Sequence, residues 1–267
     1  MKTYRAGFIG AGNMGGVIAS SVAKKIGGEN VAVCCSCSEN TKSAAEKCGC
    51  QPSFLEEVCS ARYIFLGFKP QAAKAILAEV SELFQKRNED FIVVSMLAGV
   101  DLSKLSEMTG AKKIIRIMPN TPAAKGFGVT MVCTNDSVSS EELIELCDMI
   151  SLTGKVDVIP EKLFDAGTAL SGCGPAYVYM FLEAMADAAV KCGFPRDKAE
   201  EYAARTLYGS AMLAITSECH TAELKSAVCS PGGSTIEGVY ALEKGGFRGT
   251  VIDAVCAAFE KSKLLGK

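Results

Sequence analysis

Three parts of this 267-residue chain carry residue types and spacings that could do chemistry. Gly10-Ala11-Gly12-Asn13-Met14-Gly15 has the pattern G-x-G-x-x-G, directly after the apolar run Ala6–Ile9 and before a stretch of small apolar residues. In a strand–turn–helix setting each glycine has its own task. Gly10 permits the tight turn, Gly12 leaves the backbone open to a pyrophosphate, and Gly15 lets helix and strand close up. The helix start at Asn13 and Met14 offers unpaired N–H groups and the positive end of the helix dipole to phosphates. Ser230-Pro231-Gly232-Gly233-Ser234-Thr235 is a second candidate. Gly232 and Gly233 present backbone N–H groups just before a helix, a turn suited to a carboxylate. A helix N-cap shaped by Pro231 is the plainer alternative. The third group is scattered: Lys69-Pro70, Ala98-Gly99 and Asn120-Thr121-Pro122 each follow an expected strand. They fall at the carboxyl edge, where open α/β sheets bind ligands, and a simple edge turn is the other reading of each.

A dinucleotide bound at the first turn would be NADPH or NADH. Sheets of this kind that prefer NAD place an Asp or Glu at the end of the second strand for the ribose 2′-hydroxyl. Here that strand ends in Cys34-Cys35-Ser36-Cys37-Ser38, with Glu39 several residues late. Ser36, Ser38, Asn40, Thr41 and Lys42 supply hydroxyls, an amide and one positive charge, which suit a 2′-phosphate. The reading leans toward NADPH, and Lys42 is equally readable as a solvated helix residue.

Residues 1–160 alternate short apolar runs with amphipathic stretches, the rhythm of a βαβ protein. Strands are expected at Arg5–Ile9, Val31–Cys35, Tyr63–Phe68, Phe91–Met96, Lys113–Met118, Val129–Cys133 and Val156–Ile159. Their continuous Val/Ile/Phe runs fit a parallel sheet covered on both faces. Helices are expected at Met14–Ile26, Ala72–Lys86 and Ser140–Leu152. Past Pro160 strand runs vanish, and residues 161–267 read as helices: Leu163–Leu170, Ala176–Cys192, Arg196–Ser217, Ala222–Val228, Thr235–Gly245 and Arg248–Leu265. This alanine-rich half does not look self-sufficient, and packing against a copy of itself is expected. The fold class is thus an α/β Rossmann-type doubly wound sheet followed by an all-α domain.

Composition excludes several classes. With 28 Lys and Arg against 30 Asp and Glu the net charge is −2, and no basic block marks a nucleic-acid or membrane surface. No signal segment and no membrane-length apolar run is read, so a soluble cytoplasmic protein is expected. The thirteen cysteines, an odd number, are expected as free thiols acting as small buried hydrophobes. Cys34 and Cys37 are the one pair at C-x-x-C spacing, with no second pair and the single histidine remote in sequence, so no metal site is expected. The single histidine, His220, reads as a loop or capping residue.

Five motifs together resemble the pyrroline-5-carboxylate reductase family from residue 6 to about residue 260: GFIGAGNMG, GFKPQ, Arg116–Ala123 (RIMPNTPA), Ser171–Tyr177 (SGCGPAY), and Ser230–Ile236 (SPGGSTI) with Leu242–Arg248 just after. The resemblance implies a Rossmann domain followed by a helical dimerisation domain, active sites built where two subunits interlock, and homodimers that assemble further into rings. It implies reduction of the C=N bond of 1-pyrroline-5-carboxylate by NADPH or NADH, the last step of proline synthesis. By resemblance Ser230, Gly232 and Gly233 grip the substrate carboxylate. Lys69 and Pro70 line the cofactor cleft, as do Ala98 and Asn120. Ser234 stands where the family commonly has Thr, whose hydroxyl lies near the ring nitrogen. Ser234 or the adjacent Thr235 is expected to orient or relay the proton there. Cys173 and Cys229 replace a usual Ser and Thr, which puts local polar networks in doubt. A β-hydroxyacid dehydrogenase, a reductase for another cyclic imine, and a paralogue that binds cofactor without turnover are the rival readings.

Overall fold

The computed structural model describes residues 3–265, with the side chains of Pro70 and Leu265 outside the described residues. The chain divides into two compact units, Met1–Gly172 with Ala258–Lys267, and Cys173–Ala257.

The first unit is built on one eight-stranded sheet: β1 (Ala6–Ile9), β2 (Val31–Cys34), β3 (Gln51–Pro52), β4 (Tyr63–Leu66), β5 (Ile92–Ser95), β6 (Lys113–Met118), β7 (Gly128–Thr134) and β8 (Gly154–Val158). The order is β3-β2-β1-β4-β5-β6-β7-β8. From β3 to β6 every pairing is parallel, and the strand order reverses direction at β1 and β4. That is the switch point of a doubly wound sheet, where a crevice opens at the carboxyl ends of the strands.

The first-unit helices are α1 (Asn13–Ile26), α2 (Ser38–Cys48), α3 (Leu55–Val58), α4 (Ala73–Gln85), α5 (Leu102–Thr109), α6 (Ser140–Met149) and α7 (Phe164–Gly167). Alternation along the strands sends side chains to two separate cores. Phe8, Val33, Phe65, Val94 and Ile115 pack with Ile18, Val22 and Leu146 of α1 and α6. Ile9, Ala32, Ile64, Leu66, Val93 and Ile114 pack with Leu77, Val80 and Leu105 of α4 and α5. Phe8 and Phe65 stack across β1 and β4 with centroids 4.3 Å apart. Each such fully buried aliphatic or aromatic side chain contributes about 1.5–3 kcal/mol, so both faces must be covered for the sheet to hold.

The structure departs from the expected parallel sheet at its far end. β7 runs antiparallel to β6, and β8 is parallel to β7. A parallel crossover needs roughly a dozen residues or more, and the short turn through Thr121–Lys125 reverses the chain before that length is reached. Strands β2, β4 and β5 end earlier than expected, because Cys35, Gly67, Phe68 and Met96 already belong to the edge turns, and β1 and β5 each start one residue late, without Arg5 and Phe91. The helix expected to reach Leu152 ends at Met149, followed by a 3₁₀ turn at Ser151–Thr153. Leu163–Leu170 is not one helix: α7 passes into a π-helical segment, Thr168–Gly172.

At the amino edge of the sheet charged groups tie the strand starts together. Lys113 Nζ donates to Asp90 Oδ2 at 2.5 Å and to Glu142 Oε1 at 2.6 Å. Arg62 donates to Asp90 at 2.9 Å and also pairs with Glu142. Glu142 also accepts from the Ser139 N–H at 2.9 Å, closing a capping box on α6. One buried carboxylate thus fixes the α6 start and the entries to β4 and β6.

The second unit is helical: α8 (Gly174–Lys191), α9 (Arg196–Thr216), α10 (Thr221–Val228), α11 (Ser234–Lys244) and the part of α12 (Phe247–Leu265) up to Ala257. Its buried cluster is small, with Ala186, Ala199 and Ala203 at the centre. Met180, Tyr202, Tyr208, Ile215, Tyr240 and Ile252 are exposed. His220 caps α10, its Nδ1 accepting from the Ala222 N–H at 3.1 Å. The cysteines are all free, and they are not uniformly buried as expected: Cys37, Cys192, Cys219 and Cys256 are exposed. Three of those four, Cys192, Cys219 and Cys256, lie in the second unit, whose buried cluster is small.

Candidate active site

Because β2, β1, β4, β5 and β6 are neighbours, the turns that follow them meet along one edge. The Gly10 N–H donates to the Cys34 carbonyl at 2.7 Å, Gly67 N–H to Ile9 at 2.9 Å, and Met96 N–H to Leu66 at 3.2 Å. Three glycines crowd at the centre. Gly10 has φ +87°, a value that favours glycine. A Cβ on Gly15 would lie 2.6 Å from the Gly10 carbonyl oxygen, and one on Gly67 only 2.3 Å from it. Gly67 opens the GFKPQ motif, but the sequence pattern gives it no role of its own; only the folded chain shows its contact with Gly10.

Gly12 differs. It is the N-cap of α1 with no side-chain cap, and a Cβ there would meet nothing within 4 Å. The helix start therefore presents free N–H groups of Asn13, Met14 and Gly15 to an open space, an arrangement that fits a pyrophosphate. Ser36 is exposed beyond β2, and its Oγ accepts from Asn40 Nδ2 at 3.3 Å. Thr41, expected to offer its hydroxyl outward, is buried: it accepts from Cys35 N–H and donates to the Cys37 carbonyl, both at 2.9 Å. Its role is to pin the β2–α2 loop. Lys69 is exposed and its carbonyl accepts from Ala72 N–H at 3.0 Å. The Pro70 side chain lies outside the described residues. Ala98 is half-buried just beyond β5.

Asn120 is buried, and both ends of its amide are engaged inside the protein. Nδ2 donates to the Ser171 carbonyl at 3.0 Å and Oδ1 accepts from Val129 N–H at 2.9 Å. It therefore braces the turn after β6 against the π-helical segment, and segments of that kind are frequent at functional sites.

The remaining predicted residues sit at the α10–α11 junction of the second unit. Gly232 has φ +67°, and Gly233 N–H donates to the Ser230 carbonyl at 3.1 Å. Gly233 is the N-cap of α11 and has no side-chain cap, so the plain N-cap alternative lacks its hydrogen bond. α11 begins at Ser234, one residue earlier than expected, which places Ser234 and Thr235 at its first two positions, both exposed. Two hydroxyls thus flank a helix start whose N–H groups are free to hold an anion.

A glycine turn at the switch point of a doubly wound sheet, joined to an all-helical unit, defines a nicotinamide-dinucleotide-dependent oxidoreductase. Residues 5–99 match the family described as NADP oxidoreductase, coenzyme F420-dependent, and residues 161–265 match pyrroline-5-carboxylate reductase dimerisation. The pyrroline-5-carboxylate reductase of Pisum sativum is 38% identical over 98% of this chain and 96% of its own length. That of Escherichia coli K12 is 39% identical, covering 98% of both chains. The solved structure of Plasmodium falciparum pyrroline carboxylate reductase with NADP bound superposes with a TM-score of 0.88 at 35% identity, covering 99% of this chain and 98% of that one. The chain belongs to the pyrroline-5-carboxylate reductase family.

Proposed function

We propose that this chain reduces 1-pyrroline-5-carboxylate to L-proline with NADPH, in the cytoplasm, as a self-associating enzyme. The observation that carries the reading is that the likeness to these reductases runs through both units at 38–39% identity rather than ending with the dinucleotide fold. Self-association is supported by the match over residues 161–265 to a dimerisation family and by the apolar residues that the second unit leaves exposed. Among the described residues no helix is long and apolar enough to cross a membrane.

The cofactor phosphates are assigned to the Gly10–Gly15 turn and the α1 start, with Ser36, Lys69, Pro70 and Ala98 along the same edge. Asn120 is assigned a bracing role there through its two internal hydrogen bonds. NADPH is favoured because no acid follows β2 before Glu39 and because a relative at 35% identity is known with NADP bound. When bound, the nicotinamide supplies the hydride that the imine carbon accepts. The chain's own residues hold and orient the substrate. Ser230, Gly232 and Gly233 shape the turn at which the substrate carboxylate is held by the free N–H groups of α11. Ser234, or Thr235 beside it, places a hydroxyl at the ring nitrogen, where it holds the proton of the imine in line during reduction. A protonated imine is already an electrophile, so positioning is the larger part of what the protein must supply.

The test is oxidation of NADPH by the purified protein on addition of 1-pyrroline-5-carboxylate, with NADH and a six-membered cyclic imine in parallel. Turnover fastest with NADPH and the five-membered ring supports the reading; cofactor binding without oxidation of either nucleotide overturns it.

A further inference from the structure

A groove of about 770 Å³ runs along the outer side of α1. It touches the glycine turn at Gly12 and Asn13, then continues down the helix to Lys24. At 1.5 Å per residue that end lies about 18 Å from Gly12. It meets the cofactor edge only at Ala11, Gly12 and Asn13; Ser36, Lys69, Ala98 and Asn120 do not line it.

Its chemistry is one-sided. Lys24, Lys47 and Lys125 line it from α1, α2 and the Thr121–Lys125 turn, and none of its lining residues is acidic. Among the described residues none of these three lysines is in an ion pair, whereas the neighbouring Lys25 pairs with Asp148 at 2.7 Å. Ser21 adds a small, mostly buried side chain to the same wall. Val17 and Leu152 add apolar wall between the charges. The volume lies within the range of small-ligand pockets, roughly 300–1,000 Å³.

We infer that this groove is a second binding site, for an organic phosphate: an apolar body against Val17 and Leu152, with its phosphate among the three lysines. Lysine suits this task as a mobile point charge that needs no fixed fork geometry. The site shares only its Ala11–Asn13 end with the cofactor turn, and its lysines are to take the phosphate while a dinucleotide occupies that turn.

The experiment uses protein saturated with NADPH, whose binding is measured first, so that failure of the cofactor reading is seen independently. Phenyl phosphate and inorganic phosphate are then titrated by calorimetry against the natural sequence and the triple variant Lys24→Ala, Lys47→Ala, Lys125→Ala. The expected result is saturable binding of phenyl phosphate in the presence of NADPH, at least tenfold weaker in the triple variant, with NADPH affinity unchanged. Tighter binding of phenyl phosphate than of inorganic phosphate assigns the apolar wall its part. Displacement of the probe by NADPH, equal binding by the triple variant, equal affinity for the two phosphates, or no binding at millimolar concentration would each overturn the proposal.

Discussion

The side chain of Asn120 donates to the backbone carbonyl of Ser171 at 3.0 Å while accepting from Val129 N–H at 2.9 Å. Asn120→Ala leaves two partly buried backbone groups without partners. Each unmade bond costs roughly 1–3 kcal/mol, so the denaturation midpoint should fall clearly. Asn120→Asp keeps the acceptor for Val129 but sets an oxygen against the Ser171 carbonyl, and should be no better. An unchanged midpoint in both variants would show that the brace is dispensable.

Gly67 and Gly12 separate packing from binding. Gly67→Ala would set a Cβ 2.3 Å from the Gly10 carbonyl oxygen, so it should lose both stability and cofactor affinity. Gly12→Val meets no protein atom within 4 Å at its Cβ and should fold normally, yet bind NADPH at least tenfold more weakly. Thermal melting and NADPH fluorescence titration measure the two effects. Retained affinity in Gly12→Val would break the assignment of the turn.

The hydroxyls at the α11 start are tested by kinetics. Ser234→Ala should lower kcat about a hundredfold or more while leaving NADPH affinity intact; Thr235→Ala should have the smaller effect. Unchanged kcat in the double variant would remove any proton-handling role from this helix start.

Stability should fall in acid because of the amino-edge network. Hydrogen bonding from Lys113, then from Arg62, holds the Asp90 carboxyl below its ordinary range. Burial pushes the Glu142 carboxyl up, but Lys113, the Ser139 N–H and Arg62 together bring it below its usual value. Carboxyls depressed in the folded state contribute stability above their unfolded pKa, about 4, and lose it as pH falls through the folded value. The denaturation midpoint should therefore hold from neutrality to about pH 5 and drop below about pH 4. Glu142→Gln should cost roughly 1–3 kcal/mol at neutral pH and flatten that acid drop. An acid drop of the same size in Glu142→Gln would place the linkage elsewhere.

What could be read ahead from residues was what repeats or recurs locally. The continuous apolar runs located seven strands, and Lys113–Met118 matched to the residue because charge and Pro119 bound it. The glycine turn was legible because a strand, three spaced glycines and a helix follow one another. The two-residue strand Gln51–Pro52 carries no periodic signal and owes its existence to the neighbouring β2. The reversal of β7 was hidden because strand direction is set by the length and turn of the connection, not by the strand's own residues. Thr41 and Asn120 looked like outward polar groups; only the folded chain shows their hydrogen bonds pointing inward. Gly67 stands in the GFKPQ motif, yet its constraint is not legible there because it comes from Gly10, 57 positions away in sequence, counted from their numbers.

The most direct test of the account is the rate of NADPH oxidation by purified protein on adding 1-pyrroline-5-carboxylate. The account predicts rapid oxidation with proline as the product, abolished in Gly12→Val and slowed in Ser234→Ala. Tight NADPH binding with no oxidation and no proline formed would contradict it.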